Sequence, residues 1–259
     1  MEYRWEATSI TGFVQILACN YLPHGYWFYV SGRVPEGKPP HVADRKLMEK
    51  YGVALSRGQR ARRKQAGVAN LHYVRFDRDW LLLATHGNHR FFVEEGDRVR
   101  DVRKHPIHFA GYSLTVRKGE YLRKEEGAAA VDGRYRVRVQ IAREQLRIIK
   151  PHLLQLCIRR SSEWLAYELW NLPFEPYAPI RKQLLGILRM INVKRHAASQ
   201  LQISPHVLRY QRVIVKPFAR ATALPPREVF TLTCAGGGDL APAFAVGRKF
   251  SVLGDGHAS

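Results

Sequence analysis

Two pairs of histidines are the residues best spaced for chemistry. His86 and His89 flank Gly87-Asn88, and His105 and His108 flank Pro106-Ile107. Paired imidazoles can hold a divalent ion, and such an ion can polarise a phosphodiester and activate its attacker. Glu94, Glu95 and Asp97 follow the first pair closely enough in sequence to complete a mixed ligand set. A tyrosine would then be the nucleophile, with Tyr112 in front and Tyr121, Tyr167 and Tyr177 behind it. Both histidine pairs are spaced three apart, and a regular strand sends such rings to opposite faces. Gly87 and Pro106 oppose the helix that would reunite them. The plainer expectation is turn histidines that touch phosphate beside a solvated acidic loop. No cofactor and no metal ligand is assigned, and Mg²⁺ or Mn²⁺ enters only with an endonuclease reading.

Charge is the second feature. The chain of 259 residues carries 42 Lys+Arg against 22 Asp+Glu, a formal net charge of +20. Self-repulsion of that size opposes the compact state unless a polyanion offsets it. Nucleic acid, DNA or RNA, is the expected partner, because each neutralised phosphate releases a condensed counterion. Two regions concentrate the cations. Arg57, Arg60, Arg62, Arg63 and Lys64 fall within SRGQRARRKQA without one acid. From Arg181 to Arg220 there are nine Lys/Arg and no Asp or Glu, and Arg181, Lys182, Arg189, Lys194, Arg195, Arg209, Arg212 and Lys216 are the expected phosphate contacts. Guanidinium forks suit phosphate oxygens bidentately. Aromatics interleave with Arg75 in HYVRF and with Arg90 in RFF, which on a sheet face would let unpaired bases stack; more often such aromatics are core.

The elements that must position these residues read as α+β. YWFYVSGRV is a strand ended by Pro35-Glu36-Gly37; His41 to Tyr51 is a helix stopped by Gly52. The basic segment at 56–66 reads as a loop. NLHYVRF and WLLLAT are strands joined by a turn at Asp77-Arg78-Asp79, and RFFV resumes the second after the histidine turn. IHFAGYSLTV and YRVRVQI are further strands, with a charged Gly/Ala-rich loop from Lys118 to Gly133 between them. Helices follow over 143–158, over 161–172 behind a Ser161-Ser162-Glu163 cap, and from Ile180 to His196. The expected organisation is an α+β core at 1–141 built on a small antiparallel sheet, with a ferredoxin-like arrangement as one option, a basic helical region at 142–220, and a weakly ordered tail at 221–259.

Several classes are excluded. The chain has no P-loop, GxGxxG, GxSxG or HExxH, so nucleotide hydrolysis, dinucleotide redox and common hydrolase chemistry lack support. Cys19, Cys157 and Cys234 form no CxxC pair, which fits a reducing compartment. No apolar run approaches a spanning helix, and the residues through Thr11 lack a signal layout, so the expectation is cytoplasm, nucleoid or a ribonucleoprotein, with no membrane.

The segments GYWFYVSGRVPEG, RARRKQAG, LLLATHGNH and LPFEPYAPIRKQLL resemble an uncharacterised family of basic bacterial proteins, spanning Gly25 to about Phe218. That family is similar to mobile-element replication initiators and transposases of the HUH class, which combine a His-hydrophobic-His strand, a nearby Tyr and an α+β sheet. The resemblance would imply metal-dependent DNA nicking; the histidine spacing departs from the motif, so His86, His89 and Tyr112 stand as candidates from their own chemistry and not by carry-over. The Gly-rich stretch AGGGDLAPAFAVG echoes a Cas6-like endoribonuclease that works through a lone His. The reading carried forward is a nucleic-acid-binding protein that grips the phosphate backbone through its two basic regions.

The tail reading has a direct check. Removing residues 221–259 is expected to leave a cooperative thermal melt, because their apolar residues lack periodic spacing. A large fall in Tm on truncation would identify a packed element there.

Overall fold

The computed structural model describes residues 3–218 apart from 120–121, 126–127 and 132; the expected tail lies outside the described residues. The fold is α+β. Its first sheet collects β1 (Glu6–Ala7), β2 (Phe28–Arg33), β3 (Leu71–Phe76), β4 (Asp79–Ala84) and β5 (Arg100–Asp101) in the order β1-β3-β4-β2-β5. The sheet is mixed where an antiparallel one was expected, because β1 runs parallel to β3 along its edge. Its strand order is not the ferredoxin-like one.

At the centre of this sheet β3 and β4 form a hairpin through the expected turn, where Asp77 takes a positive φ of 53°, a conformation that aspartate tolerates better than most residues. Both faces of the hairpin are covered. Val74, Leu81 and Leu83 point into one hydrophobic cluster; Leu71, Tyr73, Leu82 and Ala84 point into another. A strand buried on both sides needs a continuous apolar run, which is what WLLLA supplies. In the neighbouring pair, Gly32 lies opposite Trp80, and a Cβ on Gly32 would stand 2.4 Å from the indole Cζ2. The ring therefore lies directly on the backbone of β2.

Around the sheet lie α1 (Ile10–Ile16), α2 (Pro40–Tyr51), α3 (Arg57–Gln65) and the short α4 (Arg90–Glu95). Two expectations fail here. Residues 57–65 are helical, not a loop, because Ser56 and Gln59 form a reciprocal capping box: the Gln59 N–H donates to Ser56 Oγ at 3.3 Å, and the Ser56 N–H to Gln59 Oε1 at 2.8 Å. Arg90 to Val93 begin α4 instead of resuming a strand, because His89 caps that helix. The helix expected at 41–51 forms as α2, and Gly52 closes it with φ 57°.

A second sheet contains β6 (Ile107–Phe109), β7 (Tyr112–Lys118) and β10 (Tyr135–Ile141) in the order β10-β7-β6. The segment 107–116 is a hairpin, not one strand, since Ala110 and Gly111 both take positive φ, as a tight hairpin turn requires. Between β7 and β10, β8 (Leu122–Glu125) and β9 (Ala128–Val131) pair into a hairpin where a loop was expected. The three helices expected downstream form as α5 (Arg143–Leu156), α6 (Ser162–Asn171) and α7 (Ala178–Ala197), and Ser161 caps α6 by accepting from the Trp164 N–H. Residues of α1, the second sheet and α5–α7 share a hydrophobic cluster with one face of the first sheet, so this cluster includes residues from either side of position 141. No described helix is long and apolar enough to cross a membrane.

One carboxylate organises the opposite face of the first sheet. Asp44, on α2, is 1% exposed. It accepts from Trp5 Nε1 at 2.9 Å, from the Tyr73 hydroxyl at 2.6 Å and from Arg75 Nε at 2.9 Å. A buried carboxylate is tolerated only when paired and saturated with donors. Asp44→Ala is therefore expected to destabilise the fold by about 3–5 kcal/mol, since it strands the buried guanidinium. Chemical denaturation measures this, and a loss within the range of a surface substitution would refute the assignment.

Candidate nucleic-acid interface

The structure sorts the expected contact residues into two groups. Arg75 is in the core, held by Asp44 and, at 3.1 Å, by Glu6. Arg195, 4% exposed, donates to the carbonyls of Leu201, Cys157 and Arg160 and so ties the end of α5 to α7. Arg209 donates to the Leu172 and Phe174 carbonyls and pairs with Glu175 at 3.6 Å. On α3, Arg60 turns inward and donates to the Leu71 and Val53 carbonyls, each at 2.7 Å. These four arginines spend donors on carbonyls and carboxylates of the chain itself. Arginine suits that work because it stays charged and presents five donors.

The second group remains outside. Arg57, Arg62 and Lys64 are exposed on α3, and Arg63 is half-buried beside them. Arg62, Arg63 and Lys64 occupy its last turn, where cations also favour the helix dipole. Lys182, Arg189, Lys194 and Lys216 are exposed on α7 and the segment after it. Arg181 lies 5.8 Å from the Tyr210 ring and Arg212 lies 4.6 Å from the Tyr177 ring, and both line a pocket of about 450 Å³ with Cys19.

Two of the three groups expected to carry nicking, Tyr112 and His89, have structural partners. Tyr112 is 1% exposed; its hydroxyl donates to the Pro173 carbonyl at 3.3 Å and accepts from the Glu175 N–H at 2.8 Å. Burial pushes its pKa up, opposite to what a nucleophile needs. His89 Nδ1 accepts the Phe91 N–H at 3.1 Å as the cap of α4. Burial, with Arg63 and Arg90 nearby, holds its pKa below the usual imidazole range. His86 is exposed, its ring 6.4 Å from that of Phe28. Two of the three adjacent acids are taken as well: Glu94 pairs with Lys50 at 2.9 Å, and Glu95 accepts from the Tyr51 hydroxyl and pairs with Arg98. Among the described residues, no three His, Cys, Asp or Glu side chains gather into a metal site.

A third basic surface was not anticipated. A cleft of about 590 Å³ opens between β7, β10 and the turn after β5; Arg103, Lys104, Arg117, Lys118 and Arg138 line it, and Asp101 is the one acid there among the described residues. The strand register builds it. On the inner face of the β7–β10 pair, Ile141, Val139 and Val137 lie opposite Tyr112, Leu114 and Val116 and pack into the core. The next inner pair is Tyr135 with Lys118, where the core gives way to the cleft. On the outer face Arg136 lies opposite Arg117, and Arg138 opposite Thr115.

Tyr135 packs on Trp27 with ring centroids 4.7 Å apart. The Arg103 guanidinium sits 4.6 Å from the Trp27 ring and 5.9 Å from that of Tyr135, and Lys118 Nζ lies 5.8 Å from the latter. Asp101 grips Arg103 in a fork, with contacts of 3.0 and 2.7 Å. Burial opposes the charge of Asp101, but this guanidinium and the Arg103 N–H outweigh it and hold the carboxyl below the usual carboxylate range. The acid is thus committed to Arg103, and Lys104, Arg117, Lys118 and Arg138 remain to set the sign of the cleft. Of the period-two Arg134, Arg136 and Arg138, only Arg138 is among the residues lining the cleft, and a search for contiguous basic runs passes over it.

The inward and outward cations of α3 should separate experimentally. Arg60→Ala is expected to cost about 1.5–3 kcal/mol by leaving interior carbonyls unpaired. Arg57→Ala, Arg62→Ala and Lys64→Ala should each stay within about 0.5 kcal/mol. Thermal melts of the four variants check this, and equal losses across them would show that Arg60 is not a structural arginine. No model of a known protein family matches this chain, and a search of curated proteins finds no match to it.

Proposed function

We propose that the protein binds nucleic acid through the phosphate backbone, using the β7–β10 cleft and the outer side of α3. The observation that carries this reading is the cleft, whose described lining includes five cations and one carboxylate that is itself bound to Arg103. Like charges held this close repel one another, and a line of phosphates relieves that repulsion while releasing counterions. The net charge of +20 adds a long-range field that draws a polyanion from any direction. A mobile-element or ribonucleoprotein setting in a reducing, nucleic-acid-rich compartment fits this chemistry. Nicking is not part of the proposal, because Tyr112 and His89 are engaged in the core and in a helix cap.

The test is binding of labelled oligonucleotides across a salt series. With six or more phosphates engaged, affinity is expected to fall by roughly three decades between about 50 and 200 mM salt. A response flat in salt, or no binding at the low end, would defeat the proposal.

A further inference from the structure

We propose that the cleft is a single-strand subsite in which Tyr135 stacks on one unpaired base while the surrounding cations hold the flanking phosphates; this rests on the nucleic-acid reading above. The starting observation is an apolar ring in an unusual place. Val137, Val139 and Ile141, its neighbours on the same face of β10, are drawn into the core, yet Tyr135 remains 41% exposed. One side of its ring is supported by Trp27, which fixes the platform. Arg103 and Lys118 stand over the ring at 5.9 and 5.8 Å from its centroid, so positive charge lies against the aromatic surface. A base offers a π-face to the ring and a phosphate on either side to the cations, and that pairing of features suits single strands of any sequence.

The dimensions agree. A cleft of about 590 Å³ falls within the ~300–1,000 Å³ usual for sites that enclose a small ligand, which is room for a base with its sugar. A duplex keeps its bases stacked on one another, so it reaches only the rim cations Lys104, Arg117 and Arg138 and leaves the ring uncovered. The cleft therefore distinguishes strands by whether a base is free to leave its neighbours, not by its identity.

The experiment uses the full chain at one low salt concentration with oligo(dT), oligo(U) and a blunt duplex of the same length. Tyr135→Ala and Tyr135→Leu are expected to weaken both single strands by about 5- to 100-fold and to leave duplex binding unchanged, whereas Tyr135→Phe keeps wild-type affinity for all three. Leucine retains apolar packing on Trp27 without a π-face, so its loss of binding is not a folding defect; thermal melts of each variant accompany the titrations. Unchanged single-strand affinity in Tyr135→Leu, or equal loss on duplex and single strand, overturns the stacking proposal and leaves backbone binding standing. If the wild-type chain binds none of the three probes, the nucleic-acid reading itself has failed. A free mononucleotide bound as tightly as the oligonucleotides would also overturn the proposal, reassigning the cleft to a small ligand.

Discussion

The paired charge of Asp44 and Arg75 is the constraint on which the first sheet depends. Both groups are almost wholly removed from water, and each is tolerable only because the other is present. The carboxylate also receives Trp5 from the strand entering the fold and Tyr73 from the sheet centre, so one buried anion joins α2, β3 and the chain around β1. Arg75 in turn reaches Glu6 and the Asp77 carbonyl, extending the same tie to the sheet edge and the hairpin turn. The wall of hydrophobic side chains on that face, including Tyr51, Leu71 and Phe91, closes around this network.

With the interior so arranged, the cations divide by what their donors meet. Arg60, Arg75, Arg195 and Arg209 find carbonyls or carboxylates of the chain itself. Those on the outer side of α3 lie at the surface, and of those around the cleft Arg103 is held by Asp101. The energetic roles are correspondingly distinct. Removing an inward arginine leaves acceptors unsatisfied in a low dielectric, while removing an outward one changes mainly the external field. A basic run in the sequence therefore overstates the cations available to a ligand, since α3 gives up Arg60 and the segment 181–216 gives up Arg195 and Arg209.

Much of the α+β plan was legible because local signals agreed with the fold. Gly52 at the end of α2, the Asp77 turn and the Ser161 cap each act through backbone chemistry that neighbours cannot easily override. The errors came where charge masked geometry. SRGQRARRKQ reads as an exposed loop by composition, yet its Ser-x-x-Gln spacing is a capping box, and arginine, lysine, alanine and glutamine are good helix formers. The apolar IHFAGYSLTV reads as one strand, but Ala110-Gly111 supplies a two-residue turn. The inward arginines were illegible in principle, because the carbonyls they serve come from distant elements, as Arg195 shows by reaching Cys157 and Arg160. The cleft was half legible. Arg138 was visible as one of an alternating series, but its meeting with Arg103 in the cleft is set by the packing of two sheets.

The flat contact between Trp80 and Gly32 bears on how the central strands find each other. β2 and β4 are separated by two helices and a strand, so their pairing is a long-range search among many offsets. A slip by one residue would turn the buried rows outward and set Ser31 or Arg33 beneath the indole. A slip by two keeps the rows inward but puts Val30 or Val34 there, and a branched side chain would lift the ring from the ladder. Only the glycine lets the indole settle. The absent side chain thus favours one register: in each slipped pairing a side chain would occupy the place where Trp80 lies on β2.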